Sequence, residues 1–169
     1  MKSFSIYLDK LTNSIENSLT GETFDTEIIR LSEKDIKTIN KTDWNFDWKT
    51  EIENINCEVY KLNTVSNQNI IQGLLSIEDK YDHIFMRLIE SSKFNLGKNK
   101  VYLGVPGNLV AHACRVSFEK GYEGFVAFDA KTNLIKHYKK ILGATHFRGK
   151  RMFIETNAAK HLVSLYFKK

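Results

Sequence analysis

Apolar positions along the chain change spacing several times, and each change predicts an element. Leu8, Leu11, Ile15 and Leu19 recur at intervals of three and four, which predicts an amphipathic helix over 1–21 stopped by Gly21. Thr26–Leu31 reads as a short strand, and Ser32 is placed to cap a short helix over 33–39. The stretch around Trp44 and Trp48 fits no simple period. Three strands are then expected close together, at Cys57–Leu62, Asn69–Ile77 and His83–Glu90. Their short spacing favours antiparallel neighbours. The third is apolar on both faces apart from Arg87 and its ends, which predicts a central place in the sheet.

The second half alternates more slowly. A turn at Gly104–Asn108 leads into a buried helix over Leu109–Phe118, and Gly124–Phe128 reads as a strand. Thr132 can cap a helix closed by Gly143. A hairpin turning at Arg148–Lys150 and a helix over Ala158–Phe167 end the chain. A helix between two strands implies a right-handed parallel crossover. The sum is a mixed α/β (α+β) sheet: an antiparallel meander, then strand, helix, strand, helix and hairpin. One domain over 1–169 is expected, with 1–21 as an added N-terminal helix.

Composition narrows the classes. With 42% hydrophobic and 27% charged residues among 169, the chain can bury a core without disulfides or metals. No stretch of about 18 apolar residues occurs, so no membrane helix is expected. Asp9 and Lys10 interrupt the apolar start, so no secretory signal is expected either. Cys57 and Cys114 lie far apart, consistent with free thiols and a cytoplasmic setting. The five histidines have no metal-ligand spacing, and no metal is expected. A net charge of +5 suits a basic surface, a phosphate-bearing cofactor or nucleic acid, although no RNA-recognition motif is present.

The runs Tyr102–Cys114, Lys120–Phe128 and His137–Ala144, in this element order, resemble the GNAT N-acetyltransferase superfamily. The second half is also similar to a subgroup of bacterial GNAT-like proteins. The resemblance implies a GNAT-like central mixed sheet. Its two central parallel strands, at His83–Glu90 and Phe125–Phe128, splay apart to admit the pantetheine arm of acetyl-CoA. It implies that Gly104, Val105, Gly107, Asn108 and Leu109 receive the CoA pyrophosphate. Helix N-termini do this generally, because their first N–H groups lack partners and the dipole favours anions. Lys100, with Lys98, stands just before this loop as a point charge for phosphate. The chain departs from the family pattern at two places. Val101 stands where a glutamine or basic residue is usual, and Pro106, which has no N–H, falls on a small-residue place.

The resemblance further implies direct attack by an amine on the thioester, with a small-molecule or peptide amine as acceptor. Tyr138 matches the tyrosine that protonates the departing thiolate; the alternative is a ring packed on the sheet with its hydroxyl in solvent. Glu90, at the end of the central strand, is the candidate base; the alternative is a solvated strand end. Asn95 can bind acceptor or backbone. A non-enzymatic CoA-binding or protein-interaction module on the same fold stays open.

Overall fold

The computed structural model describes residues 4–9 and 14–167. A small sheet near the N-terminus joins β1 (Ile15–Asn17), β2 (Thr23–Phe24) and β7 (Tyr102–Leu103) in the order β2-β1-β7. The main sheet is built from β3 (Thr26–Arg30), β4 (Cys57–Thr64), β5 (Gly73–Asp79), β6 (Ile84–Ser91), β8 (Val126–Asp129), β9 (Thr145–Arg148) and β10 (Arg151–Ile154). Its seven strands lie in the order β3-β4-β5-β6-β8-β10-β9. The helices are α1 (Trp48–Glu53), α2 (Val105–Glu119), α3 (Ile135–Leu142) and α4 (Thr156–Tyr166). The meander β3 to β6 is antiparallel, and β6 pairs with β8 in parallel through the crossover α2. The expected mixed sheet with two adjacent parallel central strands is therefore present.

Two apolar clusters sandwich this sheet. One packs α2, α3 and α4 against Leu62, Leu75, Ile77, Ile84, Met86, Val126 and Phe128. The other gathers Trp44 and Trp48 over Val59, Leu74 and Leu88. With both faces covered, β6 and β8 carry the near-continuous apolar runs that marked them as central.

A β-bulge in β6 shapes the middle of the sheet. Leu88 opposes Ser76 and Met86 opposes Ile77, which leaves Arg87 as the extra residue. Arg87 and Leu88 both face the Trp48 side, where Arg87 pairs with Glu51 of α1 at 3.1 Å. A bulge bends its strand and sharpens the local twist. Pairing between β6 and β8 covers Ile84–Val126 and Phe85–Ala127, then stops at the bulge. Beyond it the two strands part.

Three expectations are corrected. No helix forms over the described part of 1–21: Phe4 forms a single β-bridge, residues 5–9 have no regular secondary structure, Ile15–Asn17 is a strand, and 10–13, which include Leu11, lie outside the described residues. Leu19, which the helical pattern counted as an inner position, is almost fully exposed. The turn at Gly104–Asn108 is shorter than expected, because α2 begins at Val105. Pro106 fits its first turn, where a missing N–H breaks no internal bond. Lys131, not Thr132, caps the short 3₁₀ turn that precedes α3.

Candidate functional site

The place where β6 and β8 part lies beside the start of α2. Gly104 caps that helix with φ +96°, a left-handed conformation that glycine adopts without strain. The Asn108 N–H already donates to the Gly104 carbonyl at 3.2 Å. Leu109 lies one residue further in, where amides bond within the helix. Pro106 has no N–H. That leaves Gly104, Val105 and Gly107 as the amides the helix itself does not use.

An anion already sits at this turn. The Gly104 N–H donates to Asp9 Oδ1 at 3.0 Å, and Lys100 Nζ donates to Asp9 Oδ2 at 2.8 Å. The Asn108 side chain donates to the Gly104 carbonyl at 2.7 Å and, more weakly, to the Ser14 carbonyl at 3.4 Å. Residues 104–110 are all buried beneath this cover.

The same N-terminal segment fills the gap between the parallel strands. Phe4 pairs with Ala130 in parallel: its N–H donates to the Asp129 carbonyl, and its carbonyl accepts from the Lys131 N–H at 2.8 Å. The Ala130 N–H points the other way, to the Lys150 carbonyl after β9. Backbone direction alternates along a strand, so Phe4 lies on the edge of β8 that faces β6. Phe4 and Leu8 are buried, whereas Ser5 and Tyr7 are exposed.

Tyr138 points into this arrangement. It is fully buried and packs edge-on against Phe4 and Phe128, at 5.6 and 5.5 Å between ring centres. Its hydroxyl does not reach solvent; it donates to the Ile6 carbonyl at 2.6 Å. Burial pushes the phenol above its usual pKa. One residue earlier, His137 Nε2 accepts the Leu8 N–H at 3.0 Å, and its ring stacks on Tyr7 at 4.1 Å. Burial, with Lys140 nearby, lowers the imidazole's pKa, which suits an acceptor nitrogen.

Glu90 is not a solvated strand end. The bulge turns it toward Trp48, and its carboxylate accepts from Asn45 N–H at 2.6 Å, Phe46 N–H at 3.1 Å and Trp48 Nε1–H at 2.9 Å. Asn95 is a buried strut: it donates to Gln72 Oε1 at 2.8 Å and accepts from the Tyr102 N–H at 3.0 Å. The aromatic segment that Glu90 holds borders two clefts. One of about 250 Å³ is lined by Ile36, Trp44, Phe46, Trp48 and Ile52. The other, of about 310 Å³, lies at the C-terminal end of β6 between Trp44, Ile70, Ile71 and Phe94, with Asp43 and Lys93 on its wall. Among the described residues, no group of three or more His, Cys, Asp or Glu can hold a metal, and no helix is long and apolar enough to cross a membrane.

Sequence reading missed Asp9, His137 and the whole segment 4–9. A signal for the segment was present. Phe4, Ile6 and Leu8 alternate with Ser5, Tyr7 and Asp9 at the strand period of two, and this competes with the helical spacing from Leu8 onward.

No protein-family model matches the chain, and no curated protein matches it. Solved structures do. A structure of the AtaT–AtaR complex bound to DNA superposes with a TM-score of 0.59 at 17% identity, over 80% of this chain and 98% of that one. AtaTR bound with acetyl-CoA superposes at 0.53 and 16% identity, over 82% and 98%. Mutant forms of the spermidine/spermine N-acetyltransferase SpeG from Vibrio cholerae superpose at 0.52 and 14%, over 80% and 96%. The fold is that of the GNAT acetyltransferases.

Proposed function

We propose that this chain is an N-acyltransferase that uses acetyl-CoA and an amine acceptor. The observation that supports this best is the parting of β6 and β8 directly beside a helix start whose Gly104 amide, with Lys100, holds an anion. A phosphate suits that place for the reason a carboxylate does: an unpartnered helix amide and a cation attract negative charge. Residues 4–9 must withdraw for a cofactor to enter.

The thioester supplies an activated acyl group to the amine. In this reading the amides of Gly104, Val105 and Gly107 and the Lys100 ammonium bind the phosphates, while the backbones of Asn108 and Leu109 complete the helix turn that aims them. The β6 edge beyond Phe85 offers free backbone groups to the pantetheine arm. As the C–N bond forms and the C–S bond breaks, Tyr138 would give its Oη proton to the leaving sulfur and would recover one from the acylated nitrogen, which must shed a proton. Its hydroxyl faces the segment that fills the gap, so withdrawal of that segment would open it to the gap. Glu90 holds the 44–48 segment, whose Trp44 lines the cleft taken here for the acceptor. That cleft has apolar sides and both the Asp43 carboxylate and Lys93, whose Nζ donates to the Thr42 carbonyl at 2.7 Å; in this reading the acceptor's apolar body lies on those sides and its amine toward Asp43.

Thiol release from acetyl-CoA, measured with polyamines, amino sugars, amino acids and peptide N-termini, tests the reading. With a productive acceptor, Tyr138→Phe should lower kcat by about 10²–10⁴-fold with little change in KM. Retention of nearly full kcat would make Tyr138 a packing residue. A second reading, a non-enzymatic GNAT-like module that binds CoA or a protein partner, is favoured by the filled gap and by Pro106. Tight CoA binding with no thiol release across the panel would support it.

A further inference from the structure

Residues 4–9 occupy in one piece the cleft that a bound cofactor would take. Asp9 presents an anionic group to the Gly104 N–H and Lys100. Phe4 supplies backbone hydrogen bonds to the free edge of β8. The Ile6 carbonyl accepts from the Tyr138 hydroxyl, and the Leu8 N–H donates to His137 Nε2. Phe4 and Leu8 bury their side chains against the same core. Four separate binding features of the cleft are thus satisfied by six consecutive residues.

We infer that segment 4–9 is an internal competitor of the cofactor: the chain closes its own acyl-CoA cleft, and CoA binds by displacing this strap. The inference rests on the acyl-CoA reading of the cleft. Its physical basis is twofold. An exposed strand edge and an open helix start both need partners when no ligand is present, and the strap provides them. Yet the strap buries only Phe4 and Leu8 deeply, while Ser5 and Tyr7 face solvent. A segment with so few buried side chains belongs to the weakly held part of a fold, which opens more readily than the core. Its polar end is a single carboxylate, the group that a diphosphate replaces with more charge. In such an equilibrium, the apparent Kd equals the intrinsic Kd divided by the open fraction. Weakening the strap therefore tightens cofactor binding without adding any contact to the cofactor.

Two measurements on the full chain test this. Calorimetric titration of CoA into the unaltered protein and into Asp9→Ala should give a Kd at least about ten-fold lower for the variant, because a charged hydrogen-bond pair that favours closure is gone. Amide hydrogen exchange on the unaltered protein should quicken at Leu8 and Lys131 when CoA is added, because both amides lose their partners. Equal Kd values for the two proteins would sink the competitor and leave the cofactor reading standing. Tighter binding by Asp9→Ala without faster exchange at Leu8 and Lys131 would mean that Asp9 merely repels phosphate, and would also overturn displacement. Absence of CoA binding to either folded protein at millimolar concentration would overturn both readings, making the strap a permanent part of the core. If Asp9→Ala fails to fold, the exchange measurement on the unaltered chain decides alone.

Discussion

The carboxylate of Asp9 accepts the backbone N–H of Gly104 at 3.0 Å across 95 residues of sequence. Gly104 opens the helix start to which the GNAT resemblance assigns phosphate. Asp9 belongs to a segment whose other residues pair with β8, His137 and Tyr138. One contact thus links the N-terminal strap to the candidate cofactor loop.

Glu90 distinguishes a positioning role from a catalytic one. Its carboxylate receives three N–H donors, and an amide in its place turns one acceptor oxygen into a donor facing a donor. Glu90→Gln should destabilise the fold by about 2–3 kcal/mol, or about 4–12 °C in Tm for a chain of this size. The emission of Trp48, now buried, should shift to the red. An unchanged Tm with a large fall in kcat would instead make Glu90 a base.

Gly124 has φ +81°, and a methyl group there would meet Phe118 Cζ at 2.5 Å and Ala159 Cβ at 2.7 Å. Both the backbone conformation and the contact with α4 exclude a side chain. Gly124→Ala should cost about 1–3 kcal/mol in chemical denaturation. A loss within about 0.5 kcal/mol would mean that α4 moves aside freely.

His112 gives the fold a sensitivity to acid. Burial, with Arg115 adding its charge, lowers its pKa from 6.5 to about 3, and its Nδ1 accepts from Arg115 at 2.8 Å. The unfolded chain binds a proton here below about pH 6.5, while the folded chain resists until about pH 3. The contribution of this group to stability is therefore complete above pH 6.5 and declines as pH falls toward 3. Denaturant titrations at pH 7.5 and 4.5 should show a smaller stability difference for His112→Asn than for the parent. An equal difference would mean that other groups set the acid response.

The sheet was legible because its signals were local. β4, β5 and β6 carry apolar runs bounded by polar turns, and α2 and β8 form a crossover whose handedness has one common solution. The bulge at Arg87 was not legible: one extra residue in a strand leaves no mark on an apolar run, yet it decides which face Glu90 takes. Nor was the contact between Asp9 and Gly104, which are 95 residues apart and meet only through the fold. Leu8 served two competing patterns, the helical spacing with Ile15 and the alternation with Phe4 and Ile6, and the free edge of β8 decided between them. A long-range demand for backbone partners outweighed a local period.

The most direct test is a crystal structure of the chain grown with CoA. The diphosphate should lie within hydrogen-bond distance of the Gly104 and Gly107 amides and Lys100, with the pantetheine arm between β6 and β8 and Asp9 gone from Gly104. CoA lying elsewhere, or absent at saturating concentration with Asp9 still on the Gly104 amide, would contradict this reading.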